Sequence, residues 1–230
     1  MNLLKHKLNK HIRFDKESHT YYYKGEPFQG VTKWISSYGE PFDKKRMAKV
    51  MAWKEGKTED EILQLWQDLN EYGNEVHDII EYYINDGVEA DRVELEIFKE
   101  CCKEINITPI AGEFVIYDKS IKRASPVDIL AERDGKIVVV DLKTMFKPLR
   151  YLSYKSRSMV HPLQDLPDSA YYKYSLQTSI YQKWLSEIYG ADVDETAYIF
   201  HIHQDVYEII PTLNLIDKVN LMYNDPYRNS

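Results

Sequence analysis

The chain has little cysteine: two residues in 230, Cys101 and Cys102, adjacent in sequence. That is neither a disulfide nor a zinc-site spacing, and it fits a reducing, intracellular compartment such as the cytoplasm. Two thiols cannot build a four-cysteine iron–sulfur site, so no such cluster is expected. Long apolar runs are missing too. No stretch is long enough to cross a bilayer, so no membrane partner is expected. The opening Met1-Asn2-Leu3-Leu4-Lys5-His6-Lys7 turns polar at once, which argues against a signal peptide. Internal repeats and low-complexity tracts are absent. So is an excess of positive charge: the formal net charge is -7, which argues against a simple basic nucleic-acid coat.

With 43% hydrophobic residues, the chain suits one globular domain with a small helical lobe. Three stretches are expected within it. Residues 1–105 hold a strand pair and a helical part, 106–212 the core sheet and a helix, and 213–230 a helix and tail. Arg13-Phe14 and Tyr21-Tyr22-Tyr23 read as the strand pair, with Lys24-Gly25-Glu26-Pro27 as the turn. Val31 to Ile35 begins a helix, and a second starts near Pro41, where proline suits a first turn. Thr58 and Glu61 form a capping-box pattern before Ile62, Leu65, Trp66 and Leu69. That helix continues, or restarts, through Tyr72 to Ile84. Residues 91–105 are helical.

Then the pattern changes. Residues 113–117, 124–132 and 136–143 read as three successive strands, with Arg133-Asp134-Gly135-Lys136 as a hairpin turn. Residues 146–169 show no periodicity and hold three prolines, a long loop of the kind that is functional or disordered. A helix over 170–188, a strand pair over 197–210 and a short helix from Leu213 follow. The order implies an α/β (α+β) fold with a central mixed sheet flanked by helices.

The chemistry gathers at two strand ends. Asp128 closes Ser125-Pro126-Val127-Asp128, and Asp141 and Lys143 sit in Val138-Val139-Val140-Asp141-Leu142-Lys143-Thr144. Charged groups at the ends of apolar strands need a partner or a metal. Asp141 and Lys143 are two apart and face the same side of a strand. Hydrolysis of a phosphodiester with Mg²⁺ or Mn²⁺ uses hard oxygen ligands, a positioned water and a positive group near the phosphate. Asp128, Asp141 and the Leu142 carbonyl would supply oxygens. Lys143 would acidify the attacking water or stabilise the transition state. The plain alternative is an Asp–Lys ion pair at a strand end.

On the preceding helix, Gly73, His77 and Glu81 share a face at i, i+4 and i+8. Glycine there permits a close approach, His77 is a candidate metal ligand, and Glu81 a partner behind it. Gln177 and Tyr181 form another i, i+4 pair, with polar ends that would reach the phosphate or Lys143. His201 and His203 share a strand face, but no third ligand is evident, and they read as structural. Lys44-Lys45-Arg46, and Lys147, Arg150, Lys155 and Arg157, are local basic clusters. Each is a phosphate contact or ordinary solvated surface. Tyrosine is abundant, with 19 copies. Tyr151, Tyr154, Tyr171, Tyr172 and Tyr174 would stack on unpaired bases or, more simply, line the edge of the core.

Taken in order, these motifs resemble the PD-(D/E)XK nuclease superfamily, most closely its RecB-like exonuclease branch. The likeness runs over roughly 70–185: Gly73-x-x-Val76-His77-x-x-Ile80-Glu81, then Asp128, Asp141-Leu142-Lys143-Thr144, and Gln177-x-x-x-Tyr181. Tyr21-Tyr22-Tyr23 with Gly30 to Ile35 resembles the leader of phage and mitochondrial members. The resemblance implies a restriction-endonuclease-like core under an amino-terminal helical cover. It implies one or two Mg²⁺ or Mn²⁺ ions held by His77, Asp128, Asp141 and the Leu142 carbonyl. Lys143 would take part in catalysis, and Gln177 and Tyr181 would arrange the site or the DNA. Glu113 would be an additional carboxylate, as in some superfamily members. Pro126 departs from the glycine many relatives carry two residues before the first aspartate. The implied activity is a DNA exonuclease acting on single-stranded or duplex ends in replication, recombination or repair. A structure-specific endonuclease and a non-catalytic binding module on the same fold are the alternatives. No residue marks an oligomer interface.

Overall fold

The computed structural model describes residues 12–15, 18, 20–152 and 157–226. The opening segment 1–7, Tyr154 and Lys155 lie outside the described residues. Strands β1 (Ile12–Asp15), β2 (Thr20–Tyr23) and β3 (Glu26–Gly30) lead into helix α1 (Val31–Ser36). Helices α2 (Lys44–Glu55), α3 (Glu59–Asp86) and α4 (Val93–Glu104) follow. Next come β4 (Thr108–Asp118), β5 (Arg123–Arg133), β6 (Lys136–Lys143), α5 (Ala170–Glu187), β7 (Tyr198–His203), β8 (Val206–Pro211) and α6 (Ile216–Tyr223).

The sheet runs β1-β2-β3-β5-β6-β7-β8, with β4 on the other edge of β5. Two of its pairings, β3 with β5 and β6 with β7, are parallel, so the sheet is mixed as expected. The alternation along β6 builds a two-sided core. Val139 faces a layer that includes Trp34 of α1, Ile180 and Trp184 of α5, and Val219 of α6. Val138 and Val140 face Val76 and Ile80 of α3 and Leu95 and Phe98 of α4. The sheet is thus sandwiched between helical layers, and α2 packs on α3 beyond it. Among the described residues, no helix is long and apolar enough to cross a membrane.

Two hairpins turn on Lys24-Gly25 and Asp134-Gly135. Both residues of each pair have positive φ, as a two-residue type I′ turn requires. The first corrects the sequence reading: Glu26 and Pro27 belong to β3, so the amino-terminal unit has three strands rather than two. Pro41 does not open α2. Asp43 does, its carboxylate accepting the Arg46 N–H at 3.0 Å. The capping box stands: Glu61 N donates to Thr58 Oγ1 at 3.2 Å, and Thr58 N to Glu61 Oε2 at 2.7 Å. It starts a continuous helix of 28 residues. The stretch after β6 is irregular but anchored. Leu149, Met159, Leu163 and Leu166 are buried, the last three in the α1–α5 layer. Such single anchors carry no period, so sequence pattern does not show them.

Candidate active site

Three elements converge at the open ends of β5 and β6. Helix α3 arrives first, and two glycines set its distance. A Cβ on Gly73 would lie 2.7 Å from Thr144 Oγ1, just past the end of β6. A Cβ on Gly112 would lie 3.0 Å from the Glu81 Cα. Glycine is what permits both approaches. The Asn85 amide then clasps Gly112, accepting from its N–H at 3.0 Å and donating to its carbonyl at 3.1 Å. The next residue, Glu113, takes a left-handed backbone at φ 48°, a strained choice for a side chain inside a strand. Its carboxylate faces His77 Nδ1 at 3.2 Å. Sequence pattern gives no sign of this turn, since a strand glutamate normally faces solvent.

Strand β5 supplies Asp128 where its ladder with β6 stops. The last registered pair is Ile129 with Val140. Beyond it the Leu142 N–H donates instead to Asp128 Oδ2 at 2.8 Å. Pro126 falls in the stretch of β5 that neither β3 nor β6 pairs, between Ala124 and Ile129. The Lys143 ammonium lies 2.7 Å from Asp141 Oδ2 and 3.6 Å from Asp128 Oδ2, and donates to the Leu142 carbonyl at 3.0 Å. The Tyr174 ring lies 4.8 Å from it.

Helix α5 backs Asp141. Gln177 Nε2 is 3.0 Å from both Asp141 Oδ1 and the Tyr181 hydroxyl, which in turn lies 2.8 Å from Ser125 Oγ. Gln177 and Tyr181 therefore reach Asp141 and β5 rather than Lys143. Tyr174, at i−3 from Gln177, was legible as part of the same helix face. Ser125 was not, because a buried strand serine carries no signal of its own. Glu81 lies one turn beyond His77, hydrogen-bonded by Asn85 at 3.4 Å. The two strand histidines are structural: His201 bonds the Met145 carbonyl and His203 the Thr144 carbonyl, the latter at 3.1 Å.

Burial and charge oppose each other here. Burial pushes the Asp141 carboxyl up to about 7, outweighing the Lys143 ammonium beside it. Asp128 is also penalised by burial, but Lys143, His77 and the Leu142 N–H hold it below the usual carboxylate range. Burial would lower Lys143, yet Asp141 and Asp128 keep it charged and raise it. His77 follows the same logic: burial pulls it down, Asp128 and Glu113 outweigh burial, and the net direction is up. Glu81 is raised, by burial first and then by Glu113. Asp141, only 1% exposed, is the acid that gives up its charge first.

The ligand atoms of His77, Glu113 and Asp128 lie within 4.8 Å of one another. The set predicted from the sequence was His77, Asp128, Asp141 and the Leu142 carbonyl, with Glu113 alongside. Only His77 and Asp128 of that set share the cluster. Asp141 and the Leu142 carbonyl are engaged by Lys143, and Glu113 fills the third place. Of these groups His77 also lines a cavity of about 900 Å³, together with Gly73, Thr144, Phe146, Trp66 and Met51, among others.

No protein-family model and no curated protein matches the chain. Among solved structures it is similar to the crystal structure of a "Putative exonuclease" from Eubacterium rectale, at 10% identity and a TM-score of 0.39. The match covers 88% of this chain and 79% of the other. So distant a likeness says nothing of what this chain does.

Proposed function

We propose that the chain is a divalent-metal-dependent deoxyribonuclease of the PD-(D/E)XK superfamily, a RecB-like exonuclease that hydrolyses DNA from its ends. The observation that carries this reading is the convergence of His77, Glu113 and Asp128 beside a lysine wedged between two buried aspartates. Three carboxylates, an imidazole and an ammonium meet there, and the imidazole borders a cavity, the combination of perturbed titratable groups that marks a candidate site.

The donor set suits Mg²⁺ or Mn²⁺, being carboxylate oxygens with one imidazole. The buried Asp141 carboxyl, driven towards neutrality, is the kind of group a cation would return to its charged form. His77, Glu113 and Asp128 would hold a first ion, with Asp141 and the Leu142 carbonyl completing the site once Lys143 turns towards substrate. A bound ion would polarise the phosphoryl oxygen and acidify a water. The protein's own groups do the rest. Lys143 brings a fixed positive charge to the phosphate, where negative charge grows in the transition state. Gln177, itself fixed by Tyr181 and Ser125, keeps Asp141 from rotating away. Gly73 lets α3 close to the end of β6, so that His77 reaches the carboxylates. The helices α2 and α3 border the cavity, an arrangement that favours a threaded free end over an internal bond. Replication, recombination or repair in the cytoplasm is the setting we propose.

Cleavage of end-labelled linear and circular single-stranded DNA with Mg²⁺, Mn²⁺ or EDTA tests this, alongside the Asp141→Ala and Lys143→Ala variants. The expected result is metal-dependent loss of the linear substrate alone, abolished in both variants. Cutting of the circle would make the enzyme an endonuclease. Full activity in Lys143→Ala would overturn the mechanism.

A further inference from the structure

We propose that the outer face of α2 docks a nucleic-acid strand with unpaired bases, its phosphates on Lys45, Arg46 and Lys49 and a base on Trp53. This rests on the nuclease reading above and names the form of its substrate. The helix sequence is Lys-Lys-Arg-Met-Ala-Lys-Val-Met-Ala-Trp-Lys-Glu. Ala48 and Ala52 are buried, and with Met51 they pack on Ile62, Leu63 and Trp66. That settles which side meets the protein. Arg46, Lys49 and Trp53 follow at i, i+3 and i+7 on the opposite side, with Lys45 one turn before Lys49.

The charge on this helix runs against that of the chain. In a protein of net charge -7, α2 carries Lys44, Lys45, Arg46, Lys49 and Lys54 against one acid, Glu55. Glu55 lies 3.5 Å from Lys57, outside the helix. Among the described residues no ion pair engages any of those α2 cations, whereas Arg92, Arg133 and Lys143 all have carboxylate partners. Like charges at helical spacing repel, and a polyanion relieves that repulsion.

The indole is the second observation. Trp53 is 83% exposed, while Trp34 and Trp184 are fully buried. A large aromatic standing free among cations is the combination that binds single strands: backbone on the charges, base on the ring. A duplex keeps its base faces stacked and offers the ring nothing. An anionic membrane is the competing occupant that the test excludes, because Met47, Val50 and Trp53 stand exposed while Ala48, Met51 and Ala52 pack on α3. Position completes the case. Met51 and Glu55, on the inner edge of the same helix, line the cavity that His77 also lines. A strand held on the outer face of α2 lies one helix width from that cavity.

The test is anisotropy of a labelled oligothymidylate and of a duplex of equal length, in EDTA to prevent cleavage, across a salt series. Wild type is compared with Lys45→Gln/Lys49→Gln and with Trp53→Ala, all three checked for equal thermal stability. The double variant should weaken single-strand binding, and its log–log salt slope should fall by about 1.4, about 0.7 per cation lost. Trp53→Ala should weaken single-strand binding roughly tenfold and leave duplex binding unchanged. If wild type binds the oligonucleotide and cuts DNA in Mn²⁺ but both variants match it, the α2 proposal falls and the nuclease reading stands. If wild type neither binds nor cuts, both fall. Binding to phosphatidylserine vesicles in place of the oligonucleotide would also overturn the proposal.

Discussion

Asp128 accepts the Leu142 N–H at 2.8 Å, just where β5 and β6 cease to pair. A side chain thus replaces the next rung of the ladder and satisfies a donor that would otherwise be left open. The consequence is geometric. One carboxylate is fixed to the backbone of the strand that carries Asp141 and Lys143, and the parting of the strands leaves room for the ammonium between the two acids.

Asp141 makes stability depend on pH. Its folded pKa is raised, from 3.8 to about 7, so the folded state holds the proton to higher pH than the unfolded chain does. Its contribution is therefore most favourable below pH 4 and is lost as the pH rises towards 7. Asp141→Asn cannot lose that proton, and Asp128 remains to neutralise Lys143. In EDTA the variant should gain on wild type between pH 4 and 7, by a few kcal/mol at most, and hold the advantage above. Urea denaturation across that range measures it. A constant difference between the two proteins would show that Asp141 ionises normally.

Gly73→Ala should destabilise, against the usual trend. In a helix interior alanine is favoured by about 0.5–1 kcal/mol. Here the new methyl would meet Thr144 Oγ1 at 2.7 Å and push α3 from the end of β6. Thr144→Ala removes that oxygen. The double variant should therefore melt above Thr144→Ala alone, while Gly73→Ala alone melts a few degrees below wild type. A rise in the single variant would mean that the contact yields freely.

How much of this was legible follows from which signals are local. The capping box at Thr58 and Glu61 and the Asp134-Gly135 turn each act within four residues, and both stand in the fold. The alternation of Val138, Val139 and Val140 reports two buried faces directly. Glu26 and Pro27 misled because turn-like composition outweighed a tighter two-residue turn just before them. Leu163 and Leu166 misled because isolated anchors leave no period. The site divides in the same way. Spacing and the hairpin brought Asp128, Asp141 and Lys143 together, and the family resemblance added His77 to them. The left-handed backbone at Glu113 depends on the grip of Asn85 on Gly112, 27 residues away, and no local pattern encodes it.

Cys101 and Cys102 should be inert in the native protein. Burial pushes both thiols up to about 12, so at neutral pH almost no thiolate is present to react. A thiol-reactive disulfide reagent at pH 8 should label neither cysteine until the protein is unfolded, and then both. Fast labelling of the folded protein would mean that the layer between α4 and the sheet opens readily.

Glu113 decides which ligand set a divalent ion uses. It stands with His77 and Asp128 within 4.8 Å, while Asp141 is held by Lys143 and Gln177. If the cluster of three is the first site, Glu113→Gln should lower Mn²⁺ affinity by at least tenfold in calorimetric titration, the scale on which lost metal-site partners act. Asp141→Asn should cost less at that first site and more at any second one. The glutamine keeps the shape of the side chain, so folding should be unaffected. If Mn²⁺ binds Glu113→Gln as it binds wild type but fails on Asp141→Asn, the ion is held by the two aspartates. Lys143 must then leave its place between them before metal can enter.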